Sequence, residues 1–224
     1  MATMEEVIRI FVGTDERQEK ADRVLEYTIR KHASLPVEIT WMRAGEGMWS
    51  KWKYSPDIPD SGGWHTKFTC FRYAIPELCN FKGKAIYLDS DMVVLGDIAE
   101  IWSTPLSRGP WHCLSRKRTD VSVIDCARMK QSWWPPLSSM MRSHKHGAYF
   151  RGIIIRNGFL DPSLPPEWNV IDEYKPRVTK LIHFSRVQTQ PWKPWPEGYS
   201  YNESHACPEA VRVWEEAYEE SFFV

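Results

Sequence analysis

Residues 7 to 42 change their hydrophobic period twice, and few folds can satisfy that order. VIRIFVGT (7–14) is a β-branched and aromatic run ending at a glycine and threonine, which reads as a strand. Ala21, Val24, Leu25, Thr28 and Ile29 then recur at helical spacing among charged residues, giving a helix with one apolar face. PVEITWM (36–42) returns to a strand pattern. Strand, helix and strand in that order predict an α/β fold, with a mainly parallel central sheet and flanking helices. Sheets of this kind bind ligands outside the carboxyl ends of their strands.

The rest of the chain fits one such layer. It has 224 residues, 42% of them hydrophobic, enough to bury a core as a single domain. Lys plus Arg total 29 and Asp plus Glu total 29, so no global field favours nucleic acid or an anionic membrane. No apolar run reaches about 18 residues, and the start MATMEEVIRIF lacks a signal-peptide pattern, so no transmembrane segment is readable and the expected compartment is the cytoplasm. The five cysteines are odd in number and lack zinc spacing, which fits reduced, mostly buried thiols. The 12 tryptophans suit either core filling or stacking on sugar rings.

Further along, residues 43–63 read as a long surface loop and residues 64–78 as a helix. KAIYLDSDMVVLGD (84–97) begins as a buried strand, and GDIAEIW opens a short helix after it. Strands are expected at VSVID (121–125), GIII (152–155) and KLIHF (180–184), and a closing amphipathic helix over residues 208–223. Dense Pro and Trp at 133–137 and 191–196 mark irregular but fixed connections.

The chemistry concentrates at Asp89 and Asp91. In an extended chain they project to the same side, with Ser90 between them projecting to the other. Two carboxylates that close repel unless a cation sits between them, and oxygen ligands suit Mg²⁺ or Mn²⁺, which would in turn grip a diphosphate. The position at the carboxyl end of an apolar strand is where such a ligand is expected.

The segment GGWHTKFTCFRYAIPELCNFKGKAIYLDSDMVVLGDIAEIW resembles the part of family 8 glycosyltransferases that carries their D-x-D motif. LPPEWNVIDEY, TKLIHFSRVQTQPWKPW and the opening IRIFVGTDE are similar to other segments of that family, in the same order. The resemblance implies a single nucleotide-sugar-binding domain of the Rossmann-like GT-A fold, with a nucleotide-binding part over roughly 1–105 and an acceptor-side part over roughly 106–224. It implies a hexosyltransferase that uses Mn²⁺ (or Mg²⁺) and a nucleotide-sugar donor, commonly a UDP-sugar, and retains anomeric configuration. The acceptor would be a glycan, a lipid-linked sugar or a protein.

Carried over residue by residue, Asp89 and Asp91 become the D-x-D carboxylates and His183 the third metal ligand, an imidazole that favours Mn²⁺ over Mg²⁺. Thr14 and Asp15 match the positions that hold base and ribose, and Ser90 lies within the donor site. Lys67 or Arg72 supplies the basic group that reaches the diphosphate or donor sugar. After His183 the chain departs from the family's Gly and Lys-Pro-Trp pattern, so either Gln190 or Lys193 stands where the family's lysine meets the leaving diphosphate, with Lys193 favoured by its charge. The Asp-Gln pair that some relatives hold near the reacting carbon has no counterpart in HGAYFRGIII. Asp120 is the expected acceptor-side carboxylate and Asp91 the carboxylate closest to the chemistry, while Asp125 is a poorer choice than Asp120. HKH (144–146) reads as a solvated loop.

Two other readings compete. A nucleotide-sugar hydrolase or nucleotidyltransferase would use the same metal and diphosphate, although GTDERQEK lacks the Gly-rich loop of the latter. A non-catalytic carbohydrate-binding protein would use the tryptophans and have little need for the aspartate pair.

Overall fold

The computed structural model describes residues 6–53, 66, 68–143, 147–192 and 204–223. The opening follows the expected order: β1 (Ile8–Thr14), α1 (Glu19–His32) and β2 (Val37–Arg43), with β1 and β2 parallel. β3 (Lys84–Asp89) adds in parallel on the other side of β1, with Asp89 opposite Gly13. The sheet then reverses. β6 (Val121–Asp125) runs antiparallel to β3, β5 (Trp111–Cys113) antiparallel to β6, and β7 (Leu160–Asp161) parallel to β5. The six strands lie in the order β2-β1-β3-β6-β5-β7, so the sheet is mixed, with three parallel pairings against two antiparallel ones among the described residues. A smaller sheet of β4 (Met92–Val94), β9 (Leu181–His183) and β8 (Val170–Ile171) has the order β4-β9-β8.

Register is fixed by burial on both faces. In β3, Ala85 and Tyr87 enter an aromatic layer with Trp111, Trp134 and Phe150, whereas Ile86 and Leu88 pack with Ile10, Val12, Leu25 and Ile29. A one-residue slip would exchange the two sets, so the pattern that buries β3 also sets where Asp89 emerges. α1 and α6 (Pro208–Glu220) clamp the small sheet through Val24, Val93, Ile182 and Trp214. α3 (Ala99–Trp102) and α4 (Leu137–Arg142) are short. No described helix is long and apolar enough to cross a membrane.

Two expectations are corrected. GIII is not a strand but part of α5 (Gly147–Arg156), whose buried Phe150 and Ile154 are one helical turn apart; a short β-branched run carries no period of its own. In place of a continuous helix over 64–78, residues 68–70 form a turn, Phe71–Ala74 a 3-10 turn and α2 only Ile75–Leu78. Pro76 has no N–H to donate back to Arg72, so the hydrogen-bond ladder of one continuous helix is interrupted there, and Pro76 lies in the first turn of α2, where that N–H is not needed. Residues 64, 65 and 67 lie outside the described residues, as does most of the expected 43–63 loop beyond its 3-10 turn at Gly47–Lys51. The Pro- and Trp-rich 133–137 stretch is irregular until α4 begins.

None of the ten tryptophans among the described residues is exposed, so their ring faces fill the core. A β-carbon on Gly13 would lie 2.5 Å from the Tyr87 hydroxyl and 2.9 Å from Phe68. Gly13→Ala is therefore expected to cost about 1–3 kcal/mol in urea unfolding, and less in a Tyr87→Phe background, where the nearest atom is gone. Equal costs in both backgrounds would show that the close approach is not the cause.

Candidate functional site

Five strand ends deliver the site. Asp89 closes β3 and its N–H donates to the carbonyl of Asp120 (3.3 Å), which immediately precedes β6. Asp91 immediately precedes β4, and its carbonyl accepts from the N–H of Phe184 (2.9 Å), just past β9. His183 ends β9 opposite Met92, and Asn169 stands directly before β8.

Each carboxylate has a different partner. Arg72 Nη2 donates to Asp89 Oδ1 at 2.9 Å and Oδ2 at 3.2 Å, and the Tyr87 hydroxyl donates to Oδ1 as well. The guanidinium is held in turn by the Thr69 carbonyl (3.0 Å), the Thr119 hydroxyl (3.2 Å) and the Tyr87 ring face 4.4 Å away. Arg72 is only 2% exposed, and its burial is outweighed by Asp89, which keeps the guanidinium charged. Burial pushes the Asp89 carboxyl up to about 6, with Arg72 opposing and Asp91 and Asp120 adding to the rise.

His183 lies between the other two acids. Its Nδ1 is 2.9 Å from Asp120 Oδ2 and 3.1 Å from Asn169 Oδ1, and its Nε2 is 3.2 Å from Asp91 Oδ1. The Asn169 amide donates to Asp120 Oδ2 at 2.8 Å. Burial opposes the charge on His183, but Asp91 and Asp120 outweigh it and raise the imidazole well above its usual range. Burial likewise opposes the charge on Asp120, yet the hydrogen bond from His183 holds it well below the carboxylate range. Gln190 Nε2 donates to Asp91 Oδ2 (3.2 Å) and the Phe184 carbonyl (2.8 Å). Asp91 Oδ1 is buried with no hydrogen-bond partner: the His183 contact at 3.2 Å is close but not aligned as a hydrogen bond.

Asp91 belongs to a group of three, with Asp89 and His183, in which one ligand atom of each lies within 4.8 Å of the others. Two carboxylates and an imidazole nitrogen fit a hard-to-borderline divalent cation such as Mn²⁺. Asp120 behind His183 fixes the tautomer that leaves Nε2 facing the cluster, an arrangement usual around metal-bound histidines.

The sequence-derived residues fall in different places. Asp89, Asp91, His183 and Asp120 come together; Asp120 is 6% exposed and engaged with His183 and Asn169. Arg72 reaches Asp89 from beneath. Ser90 is fully buried and its hydroxyl lacks a partner. Thr14 and Asp15 sit at the end of β1, Thr14 donating to Asp22 (2.6 Å) and Asp15 capping the turn Glu16–Gln18 and pairing with Arg17 (2.8 Å). Lys67, Lys193 and HKH at 144–146 lie outside the described residues. Asp125 closes β6 at the far end from the site. Tyr87, Thr119 and Asn169 were not picked out from sequence. Tyr87 carried a signal, since it shares a face with Asp89 two residues on, whereas Asn169 is brought in only by the pairing of β8 with β9.

Fold and site together define the GT-A class of nucleotide-sugar-binding α/β folds. Residues 11–155 match glycosyl transferase family 8, and the chain belongs to that family of glycosyltransferases. Protein CDI of Arabidopsis thaliana is 33% identical over 97 residues, which make up 42% of this chain and 35% of that protein. Among solved structures, the galactosyltransferase LgtC, in complex with donor and acceptor sugar analogues, has a TM-score of 0.60 at 12% identity over 96% of each chain. The glycosyltransferase GlyE of Streptococcus pneumoniae TIGR4 has a TM-score of 0.60 at 14% identity, over 95% of this chain and 61% of that one. The bifunctional WbbM has a TM-score of 0.60 at 15% identity, over 86% of this chain and 48% of that one. The chain thus spans about a third of Protein CDI and about half of WbbM.

Arg72→Met strands a buried carboxylate and is expected to cost about 3–5 kcal/mol in urea unfolding, with much of the loss recovered by adding Asp89→Asn; a wild-type midpoint for the single variant would show that Asp89 does not depend on Arg72. Asp22, bound by Thr14 and by Arg43 (2.8 Å), is pushed up to about 6 by burial, against the pull of both partners. The folded chain therefore holds that proton more tightly than the unfolded one. Its contribution is complete below the ordinary value of 3.8 and is lost as pH rises through about 6, worth roughly 3 kcal/mol. The stability difference between wild type and Asp22→Asn should change over that window, and a flat difference from pH 4 to 7 would refute the shift.

Proposed function

We propose that the protein is a metal-dependent glycosyltransferase that moves a sugar from a UDP-sugar to an acceptor hydroxyl, with Mn²⁺ held by Asp89, Asp91 and His183. The observation that carries this reading is the group of those three side chains, with Asp91 Oδ1 buried, without a hydrogen bond and 3.2 Å from His183 Nε2, at the carboxyl edge of β1 and β3. A divalent cation there supplies positive charge to the departing diphosphate, where it counts most in the transition state.

The chain's own residues do the rest. Asp120 and Asn169 hold the His183 ring so that Nε2 faces Asp91, and Gln190 fixes the second oxygen of Asp91. Arg72 and Tyr87 hold Asp89, which makes Arg72 a positioning residue in this reading, not a donor contact. Thr14 and Asp15, at the end of β1 beside β3, take the base and ribose, and the backbone of the buried Ser90 lies in the donor site between the two proposed metal carboxylates. Lys193 and Lys67 remain the proposed diphosphate contacts. Retention of configuration rests on family membership. Five free cysteines fit a reducing compartment, the cytoplasm.

Calorimetric titration of UDP into the metal-stripped protein, with and without Mn²⁺, tests the reading. Binding should require Mn²⁺ and vanish in Asp91→Ala. UDP binding that is equal without metal, or intact in Asp91→Ala, would overturn it. Asp120→Asn should keep the fold while weakening Mn²⁺ binding about 10- to 100-fold.

A further inference from the structure

One built feature lies on the same edge, in the connection between β5 and β6. The chain crosses from β5 to β6 through a turn in which the N–H of Ser115 donates to the carbonyl of Arg118 (3.4 Å) and the N–H of Arg118 returns to that of Ser115 (3.1 Å). The Ser115 hydroxyl oxygen accepts from the N–H groups of Lys117 (3.3 Å) and Arg118 (3.1 Å), and Arg151 of α5 donates to the Lys117 carbonyl (3.2 Å). This tied-down turn carries three consecutive cations, Arg116, Lys117 and Arg118.

Arg116 and Lys117 are exposed, and among the described residues neither has a carboxylate partner. Arg118 Nη1 is 3.9 Å from Asp120 Oδ2, the same oxygen that is 2.9 Å from His183 Nδ1. The turn therefore stands two contacts from a proposed metal ligand. The chain as a whole carries no net charge, so three adjacent cations here form a local field beside the site. The acids facing it are Asp120 and, beyond it, Asp89 and Asp91, which Arg72, His183 and a bound divalent cation would offset.

Strand order says which substrate would meet it. The proposed base and ribose positions, Thr14 and Asp15, follow β1, whereas the turn joins β6 and β5, on the other side of β3. We propose that the Ser115–Arg118 turn is an anion-binding lip on the acceptor side, and that the acceptor is a sugar or glycan bearing a phosphate or carboxylate group. This rests on the UDP-sugar reading of the same site.

The test uses the full chain with UDP and Mn²⁺, and glucose 6-phosphate, glucuronate and glucose as probes, followed by calorimetry and by amide shifts of residues 115–118. The two anionic sugars should bind about tenfold more tightly than glucose and move those amides. Arg116→Ser/Lys117→Ser should remove that margin and leave UDP–Mn²⁺ affinity unchanged, and added salt should weaken the anionic probes alone. A UDP–Mn²⁺ affinity that falls in the double variant, with no preference among the probes, would assign the lip to the donor diphosphate and overturn the acceptor assignment. No change in either would make the turn a solvated charge run and also overturn it. Failure of wild type to bind UDP with Mn²⁺ would refute the donor reading separately, since the probes can still be titrated without nucleotide.

Discussion

The carboxylates of Asp89, Asp91 and Asp120 meet where neighbouring strands end, and the repulsion among them governs how the surrounding side chains are arranged. At about 4 Å and an effective dielectric near 20, two like charges oppose each other by about 4 kcal/mol, enough to offset much of a domain's stability if left uncompensated. The chain answers with Arg72 under Asp89 and His183 between Asp91 and Asp120. The compensation is uneven. Both oxygens of Asp89 and the second oxygen of Asp91 have protein donors, and Asp120 has Asn169 and His183. Asp91 Oδ1 alone among these named oxygens is buried without one, so the capacity left for an outside cation is concentrated beside His183 Nε2.

The D-x-D stretch is where the chain changes sheets. β3 ends at Asp89 in the six-stranded sheet and β4 begins at Met92 in the three-stranded one, leaving Ser90 and Asp91 as the link. One aspartate is thereby fixed by the large sheet, and the other is fixed through Phe184 by the small one. A cation shared by the pair would tie the two sheets together across Ser90, which is fully buried between them.

The features legible in the sequence were those with a local cause. β1, α1, β2, β3 and β6 announce themselves by period, and the aspartate pair by its place at the end of a buried strand. Features set by long-range pairing were not legible. Nothing local says that β6 runs antiparallel to β3, and that reversal is what places Asp120 at the site. Asn169 gains its role only because β8 pairs with β9, and the two-residue strand Val170–Ile171 is too short to show a period. Arg72 is one of two basic side chains that the sequence offers to the diphosphate or donor sugar, whereas it lies buried in the 3-10 turn Phe71–Ala74 and donates to Asp89.

The same reversal explains why side chains from the later half of the chain reach the Asp89–Asp91–His183 group at all. In a sheet parallel throughout, each strand would arrive at the site and its successor would begin at the opposite edge. Here β5 arrives and β6 departs through one short turn, so the connection itself, with Arg116 to Arg118 and then Asp120, lies on the edge where β1 and β3 end. β7, parallel to β5, also runs toward that edge, and the chain continues from it to Asn169 and β8. Mixed topology thus places polar and charged groups from both halves of the chain around a single point, the earlier half contributing Asp89 and Asp91 and the later half Asp120, Asn169 and His183.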